Sequence, residues 1–149
     1  MESWELAARE EIRETVAAYA HCADSGRFAD FAALFAVDGV LEVRGEAPLR
    51  GRTAIRAYIE GVGTQLRDAT TVPTIRHHVS NVTIDVVSPI EARGASYFLA
   101  VTEHGVDHWG RYRDHYVPEG DRWVFAHRSA RTDGTTPAGW AASRAPQSS

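Results

Sequence analysis

The segment from Arg76 to Val87, RHHVSNVTIDVV, constrains the fold most, because it is rich in β-branched residues and alternates between apolar and polar side chains. This pattern predicts a β-strand, in which residues two apart lie on the same face. We therefore expect His78 to face the core with Ile84 and Val86, and His77 to face the opposite side. A buried imidazole needs a hydrogen-bond partner, since an unpaired one costs about 1–3 kcal/mol.

The expected partner lies at the end of the first predicted helix, which spans residues 3–23. Its apolar stripe runs through Ile12, Val16 and Ala20, and Asp24 continues the same line. A carboxylate on an apolar stripe points inward, where a charge is costly unless it is paired. The sequence therefore predicts that Asp24 and His78 meet inside the protein.

The remaining pattern predicts helices first and long antiparallel strands afterwards. The other expected elements are helices over residues 27–37 and 53–66, and strands over 40–43, 91–104, 107–118 and 122–131. This order indicates an α+β fold, in which three helices pack on a curved mixed or antiparallel sheet, form a cone-shaped barrel and enclose a pocket. We expect one domain over residues 1–132, followed by an irregular tail over 133–149 with a possible anchor at Trp140.

Composition excludes several classes of function. The 149 residues carry a net charge of −4 and no basic run, which argues against a nucleic-acid partner. The chain contains no lysine, so Schiff-base chemistry and a phosphate-loop lysine are ruled out. Its one cysteine, Cys22, falls in a helix and is expected to be a buried filler. Without an apolar segment of membrane-spanning length or a signal sequence, we expect no membrane partner and a cytoplasmic location.

The histidines do not form a metal site by sequence criteria. His77 and His78 diverge in a strand, and His104 and His108 flank a tight turn without a third ligand at suitable spacing. No nucleotide-binding fingerprint and no serine elbow motif is present. We therefore expect a protein without a metal or other cofactor.

An ordered set of short motifs resembles the SnoaL-like branch of the nuclear transport factor 2 superfamily. The similarity covers roughly residues 5–132. The motifs are Tyr19-Ala20-x3-Asp24, Phe31-x2-Leu34-Phe35-x2-Asp38-Gly39, Gly51-x2-Ala54-Ile55, Arg76-His77-His78-x2-Asn81, Gly110-Arg111-Tyr112-x-Asp114 and Trp123-x-Phe125-x2-Arg128. The resemblance implies an α+β cone that assembles as a homodimer or homotrimer.

Within that superfamily, the positions of Asp24 and His78 are similar to the catalytic dyad of scytalone dehydratase, hexachlorocyclohexane dehydrochlorinase and the bile acid 7α-dehydratases. The resemblance implies that Arg128 matches the pocket arginine of the dehydrochlorinase, and Tyr19 a tyrosine of the bile acid enzymes. The corresponding bile acid arginine aligns nearer Arg131. The second histidine of scytalone dehydratase has His104 as its loose counterpart.

The chemistry expected of this dyad is proton abstraction. A carboxylate fixes the imidazole tautomer and leaves the other ring nitrogen as a base, while a nearby donor stabilises the developing charge. Asp24, His78, Tyr19 and Arg128 are thus the predicted catalytic residues. The predicted substrate-binding residues are Phe35, Tyr58, Tyr112, Asp114 and Tyr116. Strand parity separates Arg128 from Phe125 and leaves open which of the two faces the pocket.

These features predict a cofactor-independent lyase or isomerase, first of all a dehydratase, that acts on a small hydrophobic cyclic molecule. One alternative is a polyketide cyclase or ketosteroid-type isomerase, in which the aspartate shuttles the proton. Another is a ligand-binding or assembly module of the same fold, in which Asp24 and His78 do not hydrogen-bond.

Overall fold

The computed structural model of the protein describes residues 1–69 and 74–144. Helices lead and long strands follow, as predicted. The elements in chain order are α1 (Ser3–Asp24), α2 (Phe28–Ala33), β1 (Phe35–Val43), β2 (Leu49–Arg50), α3 (Arg52–Ala69), β3 (Ile75–Ser88), β4 (Glu91–Thr102), β5 (Gly105–Glu119), β6 (Arg122–Thr135) and α4 (Trp140–Arg144).

The six strands form one mixed sheet in the order β2-β1-β6-β5-β4-β3. β1 runs parallel to β6, and every other neighbouring pair is antiparallel. The core lies between α1 and the inner face of this sheet, where Ile12, Phe31, Phe35 and Phe125 are fully buried. The predicted α+β architecture is confirmed, although the described strands form an open sheet and not a closed barrel.

α2 ends at Ala33, four residues before the predicted end. The backbone explains the difference, because the Phe125 amide donates a hydrogen bond of 2.8 Å to the Leu34 carbonyl and Phe35 already pairs with Phe125 across the sheet. The apolar residues that favoured a longer helix therefore enter β1. Sheet pairing here outweighs local helix propensity.

The tail is more ordered than its composition predicted. β6 continues to Thr135, and α4 covers Trp140–Arg144. Asp107 provides the reason, because its carboxylate accepts hydrogen bonds from the Trp140 amide at 2.6 Å and the Ala141 amide at 3.1 Å. The prediction of an irregular tail is therefore wrong for residues 133–135 and 140–144, whereas 136–139 form an irregular connection. Residues 145–149 lie outside the described part.

A bulge in β3 changes the face on which each residue lies. Ser80 pairs with Tyr97 and Thr83 with Ala95, so β3 has one extra residue at this point. Asn81 takes φ 54°, the left-handed conformation that asparagine adopts more readily than most residues. Alternation resumes beyond Asn81 with the opposite parity. As a result His77, not His78, lies on the inner face with Ile84.

A helix that spans a bilayer must be both long and predominantly apolar. None of the helices within residues 1–69 and 74–144 meets both conditions.

Candidate active site

A cavity of about 180 Å³ lies between the helices and the inner face of the sheet. Most of its wall is apolar, and the polar side chains are concentrated at a few points. Aliphatic and aromatic residues come from all four helices and from five strands. The wall consists of Tyr19, Ala23, Phe28, Phe31, Val43, Tyr58, Ile59, Val62, Gly63, Leu66, Ile75, His77, Phe98, His108, Tyr112, Ala130, Thr132, Trp140 and Arg144.

Asp24 and His77 form a hydrogen-bonded pair at this wall. The Asp24 Oδ1 atom lies 2.6 Å from His77 Nδ1, and Oδ2 accepts the His77 backbone N–H at 2.8 Å. The side chains are 10% and 19% exposed, so bulk water has little access to the pair. A carboxylate on Nδ1 favours the tautomer with the proton on that nitrogen. Nε2 is then the basic nitrogen available to a ligand in the cavity.

The prediction that His78 occupies this position is wrong. His78 is exposed on the outer face of β3, opposite Leu99 of β4. Simple alternation failed because the bulge at Asn81 separates the histidines from the apolar residues that set the expected parity. The predicted contact between the α1 aspartate and a β3 histidine is present, but the histidine is His77, one residue before the predicted one.

A second aspartate–histidine pair lies beside the first. His108 Nδ1 is 2.7 Å from Asp107 Oδ2, and both residues are buried. The His77 and His108 rings meet edge to face, with their centres 6.0 Å apart. His104, the loose counterpart assigned by resemblance, has an 85% exposed side chain and lies away from the cavity wall.

Sequence reasoning did not select His108, although the signal was present. Alternation in β5 places His108 on the same face as Tyr112, one of the predicted binding residues. The neighbouring Asp107 is a poor clue in a strand, since adjacent residues point to opposite faces. Its side chain reaches the His108 ring even so.

Burial and hydrogen bonding set the charge of this second pair. Burial lowers the pKa of His108, and the hydrogen bond that His108 donates to Asp107 only partly opposes this effect. Burial alone would raise the pKa of Asp107, but hydrogen bonds from His108, Trp140 and Ala141 outweigh it and lower that pKa. A neutral imidazole next to an ionised carboxylate is the favoured state at neutral pH.

Three predicted tyrosines line the cavity, and burial keeps their hydroxyls protonated. Burial raises the pKa of Tyr19 to about 12, against the opposing effect of Arg128. It raises the pKa of Tyr112 well above the ordinary value and also raises that of Tyr58. Protonated phenols donate hydrogen bonds, so Tyr19 and Tyr112 are suited to stabilise an oxyanion.

Arg128 lies behind this wall. Its fully buried guanidinium donates two hydrogen bonds to Asp114, from Nε at 2.7 Å and Nη2 at 2.9 Å, while Tyr116 donates a third at 2.7 Å. The cation lies over the rings of Tyr19 and Tyr112, 4.2 and 3.7 Å from their centres. Arg128 therefore positions the two tyrosines from behind.

Several predicted contacts are thus absent from the cavity wall. Arg128, Asp114, Tyr116 and Phe35 are all buried but do not line it. The parity argument for Arg128 failed because β6 has an extra residue between Phe125 and His127, so Arg128 lies over the Phe125 ring. Arg131, the alternative arginine, is 48% exposed and faces Asp133.

No group of three or more histidine, cysteine, aspartate or glutamate side chains within residues 1–69 and 74–144 is arranged to hold a metal ion.

Comparison with known proteins places this geometry in a family. The SnoaL-like domain matches residues 4–129. A candidate scytalone dehydratase from Novosphingobium aromaticivorans is 30% identical, with 91% of each chain covered and a TM-score of 0.79. An NTF2-like protein with a cystatin-like fold from the same organism is 27% identical, covering 89% of this chain and 87% of its own, with a TM-score of 0.76.

LinA is 19% identical, with 91% of this chain and 93% of its own covered and a TM-score of 0.78, which shows a common fold. Among curated proteins, none matches this sequence at a significant level. The family match spans most of the chain and agrees with the motifs and with the helix-on-sheet architecture. The chain therefore belongs to the SnoaL-like family of the NTF2-like superfamily.

Proposed function

We propose that this protein is a cofactor-independent lyase that eliminates water from a small hydrophobic cyclic substrate, with His77 as the base and Asp24 as its orienting partner. The observation that carries the proposal is the pair of hydrogen bonds that the Asp24 carboxylate accepts from the ring and the backbone N–H of His77, at the wall of an apolar cavity. The name of the 30% identical neighbour, a candidate scytalone dehydratase, supports the same reaction class.

The proposed reaction begins when His77 Nε2 removes a proton from a carbon next to an electron-withdrawing group. Asp24 stabilises the imidazolium that forms, because its carboxylate accepts the Nδ1 proton. The electrons of the C–H bond form the new double bond, and the C–O bond to the leaving hydroxyl breaks. The imidazolium returns its proton to that hydroxyl, so water leaves and His77 is regenerated.

The tyrosines and His108 complete the proposed site. Tyr19 and Tyr112 donate hydrogen bonds to the oxygen that gains charge, since burial keeps both hydroxyls protonated. His108 offers a neutral Nε2 to a substrate hydroxyl, because Asp107 holds its other nitrogen. Arg128 keeps the tyrosine rings in place through its contacts with their faces.

The test uses a panel of cyclic phenolic and steroid-like alcohols, with water loss followed by the ultraviolet absorbance of the new double bond. We expect His77→Gln and Asp24→Asn each to lower kcat by about 100-fold or more, the range for loss of a general base. His78→Gln is the matched control and should retain activity, because that imidazole faces outward.

Exchange of the substrate's acidic C–H in D₂O separates the alternatives. An isomerase or cyclase in which Asp24 shuttles the proton would keep most of its exchange in His77→Gln. A binding module would show no exchange in the wild-type protein. Equal activity of the His77→Gln and His78→Gln variants would contradict the proposal.

A further inference from the structure

One permanent charge lies on the cavity wall. Among its lining residues, Arg144 is the sole arginine, and no lining residue is an aspartate or glutamate. Within residues 1–69 and 74–144, no carboxylate lies within ion-pair distance of its guanidinium. Arg144 is thus a cation without an acidic partner at the edge of an otherwise apolar chamber.

The surrounding contacts hold Arg144 in position. Its guanidinium carbon lies 4.7 Å from the centre of the Trp140 ring, in a cation–π arrangement. The charge also lies close enough to Tyr58 to oppose the rise in pKa that burial causes there. The start of α4 is fixed by Asp107, which accepts the amides of Trp140 and Ala141. Arg144 therefore projects from a tethered element.

We propose that Arg144 recognises a carboxylate on the substrate, so that the natural substrate class is a small ring-containing carboxylic acid. A guanidinium that stacks on an indole through its face directs its N–H groups outward, and the hydrogen bond to Tyr58 uses only part of this donor set, so N–H groups remain for the two oxygens of a carboxylate. The Tyr58 hydroxyl, which accepts from Arg144, can donate its own proton to the same carboxylate. The largely apolar lining of the same cavity fits the ring.

This assignment rests on the proposed function for the reacting end of the substrate, but it makes a separate claim about binding. His77 and His108 would carry out the proposed chemistry, whereas Arg144 and Tyr58 would hold the anionic group of the substrate. The arrangement fixes which carbon faces His77, because a charged anchor orients a ring that apolar contacts alone leave free to rotate.

The test is a binding measurement with two isosteric ligands, 2-naphthoate and 2-naphthamide, titrated by calorimetry at pH 8, where free imidazole is neutral. We expect the wild-type protein to bind the acid about tenfold more tightly than the amide, the preference typical of a charge-assisted hydrogen bond. Arg144→Gln should remove this preference, because it should lower the affinity for the acid and leave the affinity for the amide unchanged.

Arg113→Gln is the matched control, because Arg113 is an exposed arginine of β5 that lies away from the cavity wall. It should keep the preference for the acid. Equal binding of acid and amide by the wild-type protein, no detectable binding of the acid, or equal weakening of both ligands in Arg144→Gln would overturn the assignment. Because no catalysis is measured, loss of this proposal leaves the test of His77 and Asp24 unaffected.

Discussion

At the scale of single residues, the buried ion pair between Arg128 and Asp114 is the most demanding feature of the interior. Two hydrogen bonds join the side chains, and Tyr116 adds a third to the same carboxylate. Within residues 1–69 and 74–144, no hydrogen-bond partner is found for the Nη1 atom of Arg128. Burial alone would lower the pKa of Arg128, but Asp114 outweighs it and keeps the guanidinium charged. Removing the carboxylate would leave that charge uncompensated.

We expect Asp114→Asn to lower the free energy of unfolding by about 3 kcal/mol, as measured by urea denaturation, because one partner of a buried pair is lost. Replacing both residues, with Arg128→Met and Asp114→Leu, should recover part of that loss, since neither charge then remains. Glu60→Gln is the control: it removes the partner of Arg56 in an exposed pair and should cost less than about 1 kcal/mol. A loss for Asp114→Asn no larger than this control would show that the pair contributes little.

At the scale of elements, the bulge in β3 decides which histidine reaches the cavity. Sequence alternation correctly predicted the strand, its apolar face beyond Asn81 and the meeting with α1. It could not place the extra residue, because a bulge depends on the pairing register with β4, which a single strand does not contain. The same limit applied to Arg128, whose orientation depends on a second bulge where β6 meets β5.

Substitution of Asn81 tests how much this bulge depends on its backbone conformation. Valine strongly disfavours a φ of 54°, so we expect Asn81→Val to lower the free energy of unfolding by about 1–2 kcal/mol. Asn81→Gly should stay close to the wild type, because glycine adopts positive φ without a steric penalty. Thr83→Val, an exposed neighbour in the same strand, controls for added apolar surface. Equal stability of the three variants in urea denaturation would contradict the expectation.

At the scale of the whole molecule, the cavity combines parts of the chain that are far apart in sequence. α1 supplies Tyr19 and, behind the wall, the Asp24 that holds His77 of β3; β5 supplies His108, and α4 supplies Arg144. The sequence motifs identified Asp24 and Tyr19, because helix periodicity and the family pattern both marked these positions. They passed over His108, although alternation in β5 places that residue with Tyr112. They could not reach Arg144, because the contacts between the Asp107 carboxylate and α4 are visible only in three dimensions.

The same tether links the stability of the whole protein to pH. Burial lowers the pKa of His108 in the folded state below its ordinary value of 6.5, so the unfolded chain binds more protons at mildly acidic pH. The free energy of unfolding should therefore fall as the pH drops from 7.5 through 6.5 toward the lower pKa of the folded state. The measurement is urea denaturation at pH 7.5 and 5.5.

His108→Asn isolates this contribution, because asparagine can still donate a hydrogen bond to Asp107 but does not titrate. The variant should lose less stability than the wild type between the two pH values. If the free energy of unfolding falls by the same amount in both proteins, His108 does not carry a lowered pKa in the folded state. A steeper loss in the variant would mean that protonation of His108 stabilises the fold, the opposite sign to the one that its burial requires.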